Sequence, residues 1–147
     1  MNIAIVGATG NVGRKTLEVL EKKELPIDNL YLLASSKSVG TKISFKGEDH
    51  KVSDLKNFDF SKVKITFFAA GGKISEEFGG KAAKHSIVID NSSYYRMDPD
   101  VPLIVPQVNA DHLNNINKNI IANPNCSTAQ LVIVLKPLHD LFSIKRI

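Results

Sequence analysis

The chain has a single cysteine, Cys126, and no tryptophan among its 147 residues. One cysteine cannot close an internal disulfide, which excludes a disulfide-stapled scaffold and points to a reducing, cytoplasmic setting. No spacing of histidine, cysteine and carboxylate residues suits a metal, so none is expected. No apolar run is long enough to span a bilayer. The first residues enter a strand pattern directly, without a basic leader, so we expect neither a transmembrane helix nor a signal peptide. Repeats and low-complexity tracts are also missing. The formal net charge is +4, but the lysines are scattered and no nucleic-acid-binding motif accompanies them. The charge therefore reads as a solvated surface that can still attract small anions.

What is present is the composition of an ordinary globular domain, with 43% apolar and 23% charged residues. The length suits one domain with a real core. Asn2 to Val6 is a short apolar run that stops at Gly7, the signature of a buried strand followed by a turn. Residues Val12 to Lys23 have a helical pattern, with Val12 and Leu17 to Leu20 on the inner side, and Leu30 to Ala34 is a second strand. This is a strand-helix-strand unit of about thirty residues, the length a right-handed parallel crossover needs. Thr41 to Phe45 and His50 to Val52 read as a hairpin turning over Lys46-Gly47-Glu48-Asp49. Lys64 to Ala69 and Ser86 to Asp90 are strands on either side of a helix over Ile74 to Lys84. Leu103 to Val105 is short and apolar, Asn119 to Ala122 is a strand, and Ser127 to Leu141 is a helix that Pro137 should kink or end. This alternation predicts an α/β fold with a doubly wound, mainly parallel sheet and helices on both faces. Ser143 to Ile147 looks like the opening of another strand, so we expect a longer parent chain, with apolar surface meant for a second domain left exposed.

Two places carry chemistry. The first is Gly7-Ala8-Thr9-Gly10-Asn11-Val12-Gly13, set between a strand and a helix. Gly7 permits the tight turn, Gly10 lets backbone N–H groups approach a pyrophosphate at the positive end of the helix, and Gly13 lets helix and strand pack closely. In that context the glycines read as a dinucleotide-binding turn rather than a bare connector. After the second strand comes Ala34-Ser35-Ser36-Lys37-Ser38, where an NAD binder usually has a carboxylate for the ribose hydroxyls. The hydroxyls and the lysine suit a 2′-phosphate, so NADP is the expected cofactor.

The second is Asn123-Pro124-Asn125-Cys126-Ser127-Thr128. A thiol at a helix start faces the helix dipole and free N–H groups, which favours a nucleophile and can stabilise an oxyanion on an attacked carbonyl. No histidine is placed to serve it: His139 is thirteen positions along the same helix, about 20 Å away, and nothing puts His50, His85 or His112 nearby. Asn91-Ser92-Ser93-Tyr94-Tyr95-Arg96 follows a strand, where loops build the ligand crevice of a parallel sheet. Arg96 can grip a phosphate or carboxylate there, or form a surface ion pair.

Three segments in this order, GATGNVG, DNSSYYRMDPDVPLIVPQVN and NPNCST, resemble aspartate-semialdehyde dehydrogenases across essentially the whole chain. The resemblance implies a Rossmann-like NADP-binding domain over residues 1–147 carrying the catalytic cysteine. It also implies a separate C-terminal domain, absent from this chain, that supplies the acid/base histidine, substrate-gripping residues and most of a homodimer or homotetramer interface, so the chain alone is expected to turn over little or no substrate. The implied reaction converts aspartyl phosphate and NADPH to aspartate semialdehyde, NADP and phosphate, in the cytoplasmic synthesis of lysine, threonine, methionine and diaminopimelate. Cys126 would be the thioester-forming nucleophile, Asn125 would position substrate and Arg96 would bind the phosphate. Gly7, Thr9, Gly10, Asn11, Val12, Ser36, Lys37 and Ser38 would hold the cofactor. The chain departs from the family pattern at Lys37, where arginine is frequent, and at Gln107, where glutamate is frequent. Other readings stay open: another acyl-phosphate reductase (the N-acetyl-glutamyl-phosphate reductases carry NPGCYPT instead), an NADP-sensing module, or a non-catalytic interaction fragment.

Overall fold

The structure, a computed structural model, describes residues 1–147. Six parallel strands form one sheet: β1 (Asn2–Val6), β2 (Asn29–Ala34), β5 (Ser53–Asp54), β6 (Ile65–Phe68), β7 (Ile87–Asp90) and β8 (Ile120–Ala122), in the order β5-β2-β1-β6-β7-β8. The order reverses between β1 and β6. In a doubly wound sheet that reversal opens a crevice outside the carboxyl ends of the strands. A separate antiparallel hairpin joins β3 (Lys42–Phe45) to β4 (Glu48–Lys51).

The strands alternate their side chains between two cores. On one face Ala4, Val6, Leu33, Phe68 and Val88 meet Phe78, Ala82 and Ala83 of helix α2 (Gly72–Ala83). On the other, Ile5, Leu32 and Ala34 meet Leu17 and Leu20 of α1 (Asn11–Lys22) and Ile43 and Phe45 of the hairpin. The helix-period and strand-period patterns thus cooperate to cover both faces. The second face is left open over β6 to β8, where Ile65, Phe67, Ile89 and Ile121 are only partly buried and Ile87 is exposed. Helix α4 (Cys126–Phe142) buries no residue, and Leu131, Val134, Leu141 and Phe142 are exposed along it.

Several expectations need correction. Val12 is 51% exposed and Val19 45%, so the inner side of α1 is Gly13, Leu17 and Leu20. The hairpin turns on two residues, Lys46 and Gly47, both with positive φ, the primed-turn geometry that matches strand twist. Pro137 lies inside α4 without ending it. The proline removes one N–H, and with Ile133 and Pro137 both exposed, water can take the orphaned carbonyl. Ser143–Ile147 forms no strand. Leu103 makes a single parallel bridge to Ala122 beside β8. A short helix, α3 (Pro106–Asn109), was not anticipated; it contains the exposed Gln107.

Candidate functional site

The carboxyl edge of the sheet is built as a row. Just beyond β1, β6, β7 and β8, the chain donates a backbone hydrogen bond to the neighbouring strand's last residues: Gly7 to Leu33, Ala69 to Val6, Asn91 to Phe68 and Asn123 to Asp90, at 2.8 to 3.0 Å. These bonds continue the ladder one residue past the strands and fix where each loop departs. The glycine turn, the Ala69–Gly71 turn, the Asn91–Arg96 loop and the entry to α4 therefore leave the sheet side by side.

At the reversal point, Val6, Gly7, Thr9 and Gly10 line a groove of about 440 Å³ together with Ala34, Ser35, Asp54, Leu55, Lys56, Ala69, Ala70, Ile74, Glu77 and Phe78. Gly7 has φ +84, and a β-carbon on it would lie 2.7 Å from the Ala69 carbonyl oxygen. Only glycine fits that turn. A β-carbon on Gly13 would overlap the Gly7 carbonyl oxygen and come within 2.8 Å of the Ala8 Cα. Gly10 differs: a β-carbon there meets only the Gly7 oxygen, at 3.4 Å. Internal packing makes little demand on that glycine, which leaves its small size free for a ligand. The first turn of α1 has no side-chain cap and no acidic residue. The amides of Asn11, Val12 and Gly13 find no acceptor in the chain. Uncapped amides at a helix start, beside a glycine with open space, fit a phosphate.

Of the expected cofactor residues, Gly7, Thr9 and Gly10 line the groove; Asn11 and Val12 are exposed in the first turn of α1, and Ser36–Ser38 form a single 3-10 turn after β2. The segment Ala34–Ser38 carries no carboxylate of its own, but one reaches the end of β2 from a neighbouring strand. Strand β5 pairs with β2 and sets Asp54 alongside Ala34. One Asp54 oxygen accepts the Lys56 amide at 3.0 Å, so the carboxylate also holds the turn that brings Lys56 to the groove. A two-residue polar strand gives no periodic signal, so the sequence reading missed this wall. It also passed over Ala69 and Ala70, for which the small residues ahead of Gly71 were the available cue.

Cys126 is exposed and is the first residue of α4. Asn125 is its N-cap: its side-chain oxygen accepts the Ser127 amide at 2.9 Å and the Cys126 thiol at 3.8 Å. The amides of Cys126 and Thr128 take no acceptor in the chain. No histidine bonds to the thiol. Arg96 forms no ion pair; its Nε donates to the Asn123 carbonyl at 3.0 Å and its Nη2 to the Asn91 carbonyl at 3.1 Å. Asn123 in turn donates its side-chain amide to Asn91 at 2.7 Å. The guanidinium thus ties the loop after β7 to the segment that delivers Cys126, and retains N–H donors for an anion. No cluster of potential metal ligands is present, and no helix is long and apolar enough to cross a membrane.

Comparison with known proteins places the chain in a family. Residues 2–116 match the family described as semialdehyde dehydrogenase, NAD binding domain. The aspartate-semialdehyde dehydrogenase of Aquifex aeolicus is 51% identical over 99% of this chain and 44% of its own length. Aspartate semialdehyde dehydrogenase II of Vibrio cholerae, complexed with ASA, superposes with TM-score 0.92 at 48% identity, covering 95% of this chain and 46% of that one. The Candida albicans enzyme, with NADP, does so at 0.78 and 29%, covering 98% and 48%. The chain spans less than half the length of the curated relatives it matches. With a match over most of its residues, a reversal-point groove and a glycine turn, this chain belongs to the semialdehyde dehydrogenase family, as its NAD-binding domain.

Proposed function

We propose that the chain is the cofactor- and cysteine-bearing part of an aspartate-semialdehyde dehydrogenase. The reaction is the NADPH-dependent reductive dephosphorylation of L-aspartyl 4-phosphate to L-aspartate 4-semialdehyde. The observation that carries this reading is the exposed Cys126 at the start of α4, with Arg96 bonded to the same short segment.

In this reading the Cys126 thiolate attacks the acyl carbon. A C–S bond forms, the C–O bond to phosphate breaks, and inorganic phosphate leaves. The free amides of Cys126 and Thr128 supply donors for the oxyanion that forms in between. Arg96 offers its remaining N–H groups to the phosphoryl oxygens, and Asn125 keeps the first turn of α4 in place. Bound NADPH supplies the hydride that reduces the thioester carbonyl. The C–S bond then breaks, Cys126 is regained as thiolate, and the aldehyde departs.

The groove residues Gly7, Thr9 and Gly10, with the amides of Asn11 and Val12, suit the pyrophosphate. Ser36, Lys37, Ser38 and Lys56 suit a 2′-phosphate better than bare ribose hydroxyls, and we read NADP rather than NAD despite Asp54. The group that moves protons is assigned to the part of the relatives' length that this chain does not span. An exposed free thiol suits a reducing cytoplasm.

The test is alkylation of Cys126 at neutral pH. Labelling should be rapid, slowed by inorganic phosphate, and slowed by NADP at lower concentrations than by NAD. Sluggish labelling that ignores all three would count against the reading.

A further inference from the structure

Asp90 ends β7 at 0% exposure, yet no step above uses it. Its carboxylate accepts three hydrogen bonds and makes no ion pair: from the Ser75 hydroxyl at 2.6 Å, the Ser92 hydroxyl at 2.6 Å and the Ser92 amide at 3.2 Å. The bonds extend outward on both sides. Ser92 Oγ accepts the Tyr94 amide at 3.1 Å, which shapes the loop that ends in Arg96. Ser75 belongs to α2, whose residues Ile74, Glu77 and Phe78 wall the cofactor groove. The Tyr95 phenol donates to the Ser75 carbonyl at 3.3 Å and closes the ring of contacts between loop and helix. Burial pushes that phenol above its ordinary pKa, so it remains a neutral donor. Gly79 leaves the room: a β-carbon there would stand 2.6 Å from the Tyr95 oxygen.

We propose that Asp90 is the positioning residue of the anion site: it locks the Asn91–Arg96 loop against α2 and so holds the Arg96 guanidinium where it meets both Asn123 and an incoming phosphate. The proposal rests on the reading of Arg96 as the phosphate ligand. A carboxylate is the group suited to the position. It is acceptor-only, and all three partners are donors. At 0% exposure position 90 is shut off from bulk solvent, so an amide there would turn its NH2 on a donor and leave one partner unmatched. Both carboxylate oxygens are occupied by Ser75 and Ser92, so Asp90 acts through the loop and does not touch the anion.

The experiment uses the 147-residue chain and inorganic phosphate. The readout is the phosphate concentration that halves the rate of Cys126 alkylation, with NADP affinity by calorimetry alongside. Arg96→Ala should abolish phosphate protection. Asp90→Asn should raise the half-protecting concentration about tenfold and leave NADP affinity unchanged. In the Arg96→Ala background, Asp90→Asn should change nothing further, the coupling expected when one residue works through another. Ser92→Ala, a smaller perturbation, should shift protection in the same direction and serves if Asp90→Asn does not fold. Unchanged phosphate protection in Asp90→Asn, or in Ser92→Ala where Asp90→Asn is unfolded, would overturn the proposal. So would a parallel loss of NADP affinity. Absence of phosphate protection in the unsubstituted chain, or its persistence in Arg96→Ala, would instead remove the underlying reading of Arg96.

Discussion

Alanine in place of Cys126 is expected to lower the rate of acyl-phosphate cleavage by about a thousandfold or more, while NADP affinity stays as it was. The first figure is the scale of losing the sole nucleophile in a covalent mechanism, where neighbouring groups cannot substitute for the bond that is no longer made. The second follows from layout: the thiol's only side-chain partner is Asn125, and the groove at the order reversal is lined from other strands. Phosphate release under single-turnover conditions measures the one and calorimetry the other. An NADP sensor would lose neither property. Serine at the same site separates nucleophilicity from shape, since it keeps a hydroxyl in nearly the same place but is much the weaker nucleophile at neutral pH.

The largest effect on stability is expected at Gly13. Its missing β-carbon lets α1 lie against the turn after β1, and the atoms it would strike are backbone, the Gly7 oxygen and the Ala8 Cα. Neither can rotate away. Gly13→Ala must therefore lift the helix from the sheet or unfold its first turn. Overpacking of this kind costs about 1–3 kcal/mol, and more where only backbone can yield. We expect a loss of about 3 kcal/mol, a large share of the roughly 5–15 kcal/mol that holds a domain together. Gly10→Ala is the contrasting case. Its β-carbon meets one atom at 3.4 Å, so the fold should hardly notice while NADP affinity falls. Urea denaturation and calorimetry on the two variants separate a glycine kept for packing from one kept for a ligand. Equal destabilisation by both would show that the distinction is wrong.

The elements that anchor the candidate site were legible because each pairs an apolar run with a nearby break. Asn2–Val6 stops at Gly7, the strand around Ile65–Phe68 stops ahead of Gly71, and Asn119 to Ala122 stops ahead of Pro124. A buried parallel strand has few other ways to be written. The parallel crossovers then bring all these breaks to one edge, so segments far apart in the sequence leave the sheet side by side. What escaped the reading has no local signature. Strand β5 is two polar residues held by pairing with β2, so the carboxylate of Asp54 beside the groove at the order reversal could not be foreseen. Asp90 looks like the last residue of a strand until Ser75, fifteen residues away, is seen to bond it. Pro137 is a helix breaker by local rule, but at an exposed position solvent can satisfy the freed carbonyl, and α4 continues. Asn125 was expected beside substrate; its side chain is engaged in capping the helix that carries the thiol. That role is compatible with a substrate contact through its amide nitrogen, which takes no partner in the chain.

The most direct measurement is the intact mass of the 147-residue chain after brief mixing with L-aspartyl 4-phosphate and an acid quench. A nucleophilic Cys126 predicts one added aspartyl group, removed by hydroxylamine, mapped to the peptide containing Cys126 and missing in Cys126→Ala. An unmodified chain, or an adduct on any other residue, would contradict the account.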